Sequence, residues 1–144
     1  MARIGILTCS NATRDLDCSS AGCLADFRKR RGAFSLYPAE EKLILVGIIS
    51  CPGCPTLTGS DKLLQRIRSL TRFRVDAIHF TYCMKALCPF KRQYQKDLEA
   101  AYPEIKIVLG THQEHLAPEE YRQRVKELFC QEQKNMIDLI LGEE

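Results

Sequence analysis

Four segments, Ile4–Thr8, Leu43–Ser50, Val75–Tyr82 and Ile105–Leu109, are dense in Ile, Val and Leu and alternate with polar residues only in part. Near-continuous apolar runs of this length predict parallel strands covered on both faces. Elsewhere the apolar positions recur at helical spacing. Leu63, Leu64, Ile67 and Leu70 share one stripe behind Ser60, a candidate cap, and Phe90, Tyr94, Leu98 and Ala101 form another that must end before Pro103. Pro118 suits the first turn of a last helix, 118–141, whose face carries Tyr121, Val125, Leu128 and Phe129. A shorter first helix, about Ser20 to Arg31, has basic residues in its final turn and Gly32 as its stop. Strand and helix thus alternate four times. The expected fold is a three-layer α/β/α domain spanning 1–144, with a four-stranded, mainly parallel, flavodoxin/Rossmann-like sheet of order 2-1-3-4 and the last helix packed on it.

Composition changes this picture little. Apolar residues make up 45% and charged residues 27% of the 144, close to a globular average, and a chain of this length builds a core without covalent staples. The net charge of +3 demands neither a nucleic acid nor a membrane surface as partner. The longest apolar run, Leu43 to Ile49, falls far short of the ~20 residues of a membrane helix. The apolar stretch after Met1 is too short for a signal-peptide core, so a reducing cytoplasm is the expected compartment. In that compartment eight cysteines point to metal or redox chemistry rather than to structural disulfides.

The placement of those cysteines carries the argument. Cys9 follows the first predicted strand, Cys51 and Cys54 the second, Cys83 the third with Cys88 shortly after, and His112 follows the fourth. In an open parallel sheet these ends share one edge, the usual ligand-binding edge. Adjacent strands lie ~4.8 Å apart, near the separation of two thiolates on one tetrahedral ion. Four strands span ~14 Å, so the donors reach one ion only if the loops curl inward; otherwise there are two sites, or a subset binds. Cys51-Pro-Gly-Cys54 is the strongest motif, since two intervening residues let both sulfurs chelate one ion and Pro52-Gly53 favours a tight turn. Cys18 and Cys23, like Cys83 and Cys88, are separated by four residues and match no regular zinc ribbon. Pro55 and Pro89 each stiffen the chain just after a cysteine.

Free cysteine also serves as a small apolar filler, which is the expectation for Cys130 on the last helix. His79, flanked by Ile78 and Phe80 inside a strand, reads as a hydrogen-bonded structural histidine. His112 is a ligand candidate by position, and His115 a weaker one.

Taken in order, Ile4-Gly-Ile-Leu-Thr-Cys9, Cys18 and Cys23 before Gly32-Ala-Phe34, Ser50-Cys-Pro-Gly-Cys-Pro55, Cys83 with Cys88-Pro89, and Gly110-Thr-His112 resemble the CGGC domain family over about residues 1–115. The resemblance implies metal binding by cysteines and a histidine, zinc first and an Fe–S cluster as the alternative, and it supplies no reaction. The matching donors are Cys9, Cys18, Cys23, Cys51, Cys54, Cys83, Cys88 and His112, enough for two four-coordinate sites. Pro52 replaces a glycine of the name-giving motif; both thiols stay in place and the turn is stiffer.

Three rivals stand beside this reading. Cys51 and Cys54 could cycle between dithiol and disulfide with a redox partner protein, although Pro55, Thr56, Thr58 and Gly59 predict a loop where redox motifs run straight into a helix. Cys9 and Arg14 approximate a phosphatase or arsenate-reductase loop, but they are five apart and no glycine intervenes. Arg28-Lys-Arg-Arg31 could meet nucleic acid, yet basic residues at a helix end more often form a solvated cap.

Overall fold

The computed structural model describes residues 1–54, 59–129 and 140–142. Strands β1 (Ala2–Thr8), β2 (Leu43–Ser50), β3 (Ala77–Phe80) and β4 (Lys106–Leu109) form one parallel sheet in the order β2-β1-β3-β4, as the alternation of elements predicts. Helices α1 (Ala21–Lys29), α2 (Gly59–Thr71), α3 (Tyr82–Leu87), α4 (Lys91–Ala101) and α5 (Pro118–Phe129) connect and follow the strands. A π-helical turn, Asn11–Asp15, follows β1, and a 3₁₀ turn, Gly32–Leu36, follows α1. Among the described residues no helix is long and apolar enough to cross a membrane.

Both faces of the sheet are covered, which explains the unbroken apolar runs. On one face Leu7 and Ile78 pack with Leu63, Ile67 and Leu70 of α2 and Leu98 of α4. A bulge in β2 brings Gly5 opposite Gly47. A Cβ on Gly5 would lie 2.8 Å from Leu70 Cδ1, and one on Gly47 would lie 3.0 Å from Leu70 Cδ2. The two glycines therefore form the dent that lets α2 approach the sheet. On the other face Ile4 and Ile6 pack on Phe34, with Phe27 and Tyr37 at the margin.

His79 belongs to that second face and is fully buried, the structural role its sequence neighbours suggest. Its ring stacks on Phe34 at 4.7 Å. Its Nδ1 is 2.8 Å from the Gly110 carbonyl, which can only accept, so Nδ1 carries the proton. Its Nε2 then accepts from the Tyr37 hydroxyl, also at 2.8 Å. Both ring nitrogens are satisfied by the neutral form. Burial accordingly pushes the imidazole from 6.5 down to about 4, against the opposing pull of the Gly110 carbonyl.

Two expectations are revised. The third strand stops at Phe80, because the Thr81 side chain accepts from the Met84 amide and starts α3. That helix is too short and too uniformly buried to show a period, and Pro89 limits its continuation. Ser60 lies inside the first turn of α2, where its hydroxyl bonds Asp97 instead of capping. The described part of the last helix packs on α3, with Tyr82 and Tyr121 rings 4.9 Å apart. Its predicted continuation and Cys130 lie outside the described residues, as does the loop 55–58. The basic run behaves as a cap: Arg28 and Lys29 end α1, and Arg30, left-handed at φ 56°, donates to the Pro38 and Glu41 carbonyls.

Two predictions follow from this packing. Gly32 has φ +58°, and a Cβ there would meet the Thr111 carbonyl oxygen and the His112 carbonyl carbon, the latter at 2.6 Å. Gly32→Ala is therefore expected to cost about 2 kcal/mol or more in denaturant unfolding, and an unchanged midpoint would contradict this contact. For His79 the folded value lies below the unfolded one, so its contribution is complete above about pH 6.5 and is lost as pH falls toward 4, by about 3 kcal/mol in all. Stability measured from pH 7 to 4 should fall less steeply in His79→Leu than in the parent chain.

Candidate metal centre

The sheet registers decide which donors meet. Thr8 pairs with Ser50, Leu7 with Phe80, and Phe80 with Leu109, so all four strands stop almost level. The ladder runs on briefly past these ends: Cys51 N–H donates to Thr8 O at 2.8 Å, Thr81 N–H to Leu7 O at 3.0 Å, and Gly110 N–H to Phe80 O at 2.8 Å. Cys9, leaving the central strand β1, therefore has Cys51 on one side and the start of α3 with Cys83 on the other.

Three buried thiols form a row. Cys51 Sγ donates to the Ser10 hydroxyl at 3.5 Å, and Cys9 lies near enough to Cys51 and Cys83 for the three thiols to shift one another's acidity. Oxygen and nitrogen donors surround them. The Thr81 hydroxyl is 2.8 Å from Cys83 Sγ, the Ser10 amide is 3.4 Å from Cys51 Sγ, and the Thr111 hydroxyl is 3.1 Å from Cys23 Sγ. Thr111 Oγ1 already accepts from the Tyr82 amide at 3.2 Å, so its proton is free to point at Cys23. A cysteine that merely fills apolar space has no need of such donors. Thiolates held for a metal ion do, because outer hydrogen bonds orient and stabilise them.

The thiol acidities show why the row cannot ionise unaided. Contact with Cys9, then burial, pushes Cys51 up to about 12. For Cys9 the pull of Cys51 is outweighed by Cys83 and by burial, and the net direction is upward. Burial raises Cys23 against the opposing Thr111 hydroxyl, raises Cys54, and carries Cys88 to about 11. Cys83 alone moves the other way, to about 7, because Cys9 and then Thr81 donate to it while burial opposes. One thiolate is tolerated at this rim; several need a cation beside them.

The donors fall beside two cavities. Cys9, Cys51, Cys54 and Cys88 line a space of about 20 Å³, with Asn11 and Met84. That is room for roughly one water-sized body. Cys18, Cys23, Cys83 and His112 line a larger cavity of about 270 Å³, walled by Leu16 and by Tyr121, Val125 and Leu128 of α5. Cys54 and Cys18 are exposed, whereas the other five described cysteines are buried and none is in a disulfide. His112 is half-buried; its Nδ1 faces Gln113 O at 2.9 Å, which puts the proton on Nδ1 and the lone pair on Nε2, the tautomer a ligating imidazole uses. His115 is exposed and lines neither cavity. Among the described residues no three His, Cys, Asp or Glu side chains stand close enough as placed to hold an ion, so an ion must draw these thiols inward. Their chemistry fits one: soft donors, mostly buried, served by hydrogen bonds, at sizes that suit an ion.

Sequence reading did not find the hydroxyls of Thr81 and Thr111, nor α5 as a cavity wall. Both threonines stand beside donor residues, at Thr81-Tyr-Cys83 and Thr111-His112, which is the only signal they leave. Pro52 proves compatible with the turn, since the left-handed residue is Gly53 at φ 110°.

A parallel α/β domain whose strand ends converge in thiols and an imidazole belongs to the class of cysteine-rich domains built on a doubly covered sheet. The particular family is shown by sequence: the CGGC domain matches residues 3–112, and the chain belongs to that family. No curated protein and no solved structure matches the chain.

Differential burial within one motif is directly measurable. In the reduced, metal-free chain, iodoacetamide should label Cys54 about tenfold or more faster than Cys51, since one is exposed and the other buried with its thiol raised. Equal rates would contradict the placement of Cys51.

Proposed function

We propose that this chain binds a thiophilic metal ion through the thiols at the C-terminal rim of its sheet, with Cys9, Cys51 and Cys83 as the centre of the donor set. Cys54, Cys88, Cys23, Cys18 and His112 surround that centre. The observation that carries the reading is three buried thiols gathered just past adjacent strand ends, with the Ser10 amide serving Cys51 and the Thr81 hydroxyl serving Cys83. Membership of a family generally regarded as metal-binding supports it. Zinc is the favoured ion because buried cysteines with one imidazole match its preferred ligands; an Fe–S cluster would use thiolates alone. The reading places the chain in a reducing cytoplasm, where its thiols stay free.

The redox alternative gains a different pair from the one its motif suggests. Cys51 and Cys54 are both raised, which disfavours either as the attacking thiolate. Cys83, the one described thiol lowered toward neutrality, chiefly through Cys9, is the better candidate for exchange with a partner protein. A phosphatase-like role for Cys9 has less support, since that thiol is raised and held among other thiols.

Anaerobic purification followed by elemental analysis tests the metal reading. Stoichiometric zinc, or iron with a brown chromophore, is expected, and Cys9→Ser should weaken binding by about tenfold or more. Because several ligands start protonated, affinity should climb with pH from 6 to 9 as protons are displaced. Absence of both metals from the wild-type chain, with no uptake on titration, would remove the proposal.

A further inference from the structure

We infer that the larger cavity binds a small organic monocarboxylate with an apolar body, the carboxylate held by the Ser20 hydroxyl and the N-terminus of α1, the body held by α5. This goes beyond the metal-binding reading, since none of these contacts is a thiol or an imidazole.

The anion end of the site is the start of α1. That helix, Ala21–Lys29, has no acidic residue in its first turn and no side chain capping it. Its first amides are left for an outside acceptor, and the helix dipole adds partial positive charge where they point. Ser20 is a second, independent indication. It precedes the helix in a left-handed backbone, φ 63°, lines the cavity and is only 7% exposed. Among the described residues its hydroxyl has no hydrogen-bond partner, whereas every fully enclosed side-chain polar atom among them has one. The little surface Ser20 keeps opens on the cavity, so its acceptor must come from there. Arg124 lines the same space, and its ion pair with Glu120, 3.8 Å long and exposed, is weak enough to give way.

The rest of the cavity defines the body. Its volume of about 270 Å³ exceeds the ~150 Å³ that accommodates benzene, so a ring and a short arm fit. Leu16, Leu116, Tyr121, Val125 and Leu128 make its walls largely apolar. No Asp or Glu stands among its described lining residues, so no carboxylate of the protein competes for the donors. Apolar walls with a few polar groups at one end orient a ligand by its charge and retain it by its body. The place is also the expected one: Thr8 and Thr81, at the ends of β1 and β3, line the cavity, and open parallel sheets take ligands beyond the carboxyl ends of their strands.

Calorimetric titration of the full reduced chain tests the site, with hydrocinnamate as probe. Saturable binding at one site per chain is expected. Hydrocinnamyl alcohol, the same body without the charge, and acetate, the charge without the body, should each bind about tenfold or more weakly. Ser20→Gly keeps the left-handed backbone without strain and removes the hydroxyl, so it should weaken hydrocinnamate about tenfold and leave the alcohol nearly unchanged. Val125→Trp fills the cavity and should abolish both, with Leu128→Trp as second variant if the first fails to fold. Absence of saturable binding, equal affinity for acid and alcohol, or indifference to Ser20→Gly would each overturn the assignment. Binding that appears only on zinc loading and ignores Ser20→Gly would put the carboxylate on an ion and overturn it too. Failure of zinc uptake with hydrocinnamate still bound would strike the metal-binding reading alone.

Discussion

Everything at the rim depends on four parallel strands ending level. Parallel pairing aligns strand ends on one edge, and here the registers Thr8 with Ser50, Leu7 with Phe80 and Phe80 with Leu109 bring those ends almost into line. Three neighbouring strands, ~4.8 Å apart, are each followed within a few residues by a cysteine, and the fourth by His112. A single-residue slip of β1 against β2 would separate Cys9 from Cys51 and turn Leu7 away from the α2 face. The glycine dent at Gly5 and Gly47 protects that alignment, because Leu70 seats on both strands at once.

A second constraint is electrostatic. Buried thiols in contact cannot all lose their protons, and the row resolves this by leaving Cys83 as the preferred thiolate and pushing Cys51 to about 12. The arrangement is poorly suited to a lone nucleophile at Cys51 or Cys9. It is well suited to a cation, which would neutralise several thiolates together. The surrounding amides and hydroxyls already serve Cys23, Cys51 and Cys83, so an ion has to draw the sulfurs together but finds their outer hydrogen bonds in place. The opposite face supports the same rim: His79 holds the Gly110 carbonyl, and Gly32 lies against Thr111 and His112.

The fold was legible in the sequence because its strands are covered on both faces, which writes them as apolar runs at regular intervals, and even the order 2-1-3-4 is as expected. What escaped was short or tertiary. Helix α3 spans only Tyr82–Leu87 and is buried nearly all round, so it reads as the tail of a strand. The thiols at the rim were visible as strand-end cysteines. Their division between two cavities was not, because it depends on loops and on α5 folding back as a wall. The threonines that serve Cys23 and Cys83 act across 88 and two positions respectively, and nothing in local spacing announces the first of these.

The central claim is that sulfur atoms from different strand ends hold one ion, and zinc-edge X-ray absorption on the zinc-loaded chain measures this directly. The account predicts a first shell dominated by sulfur at ~2.3 Å with a minor nitrogen contribution. A shell of oxygen and nitrogen alone, at ~2.0–2.1 Å, would contradict it.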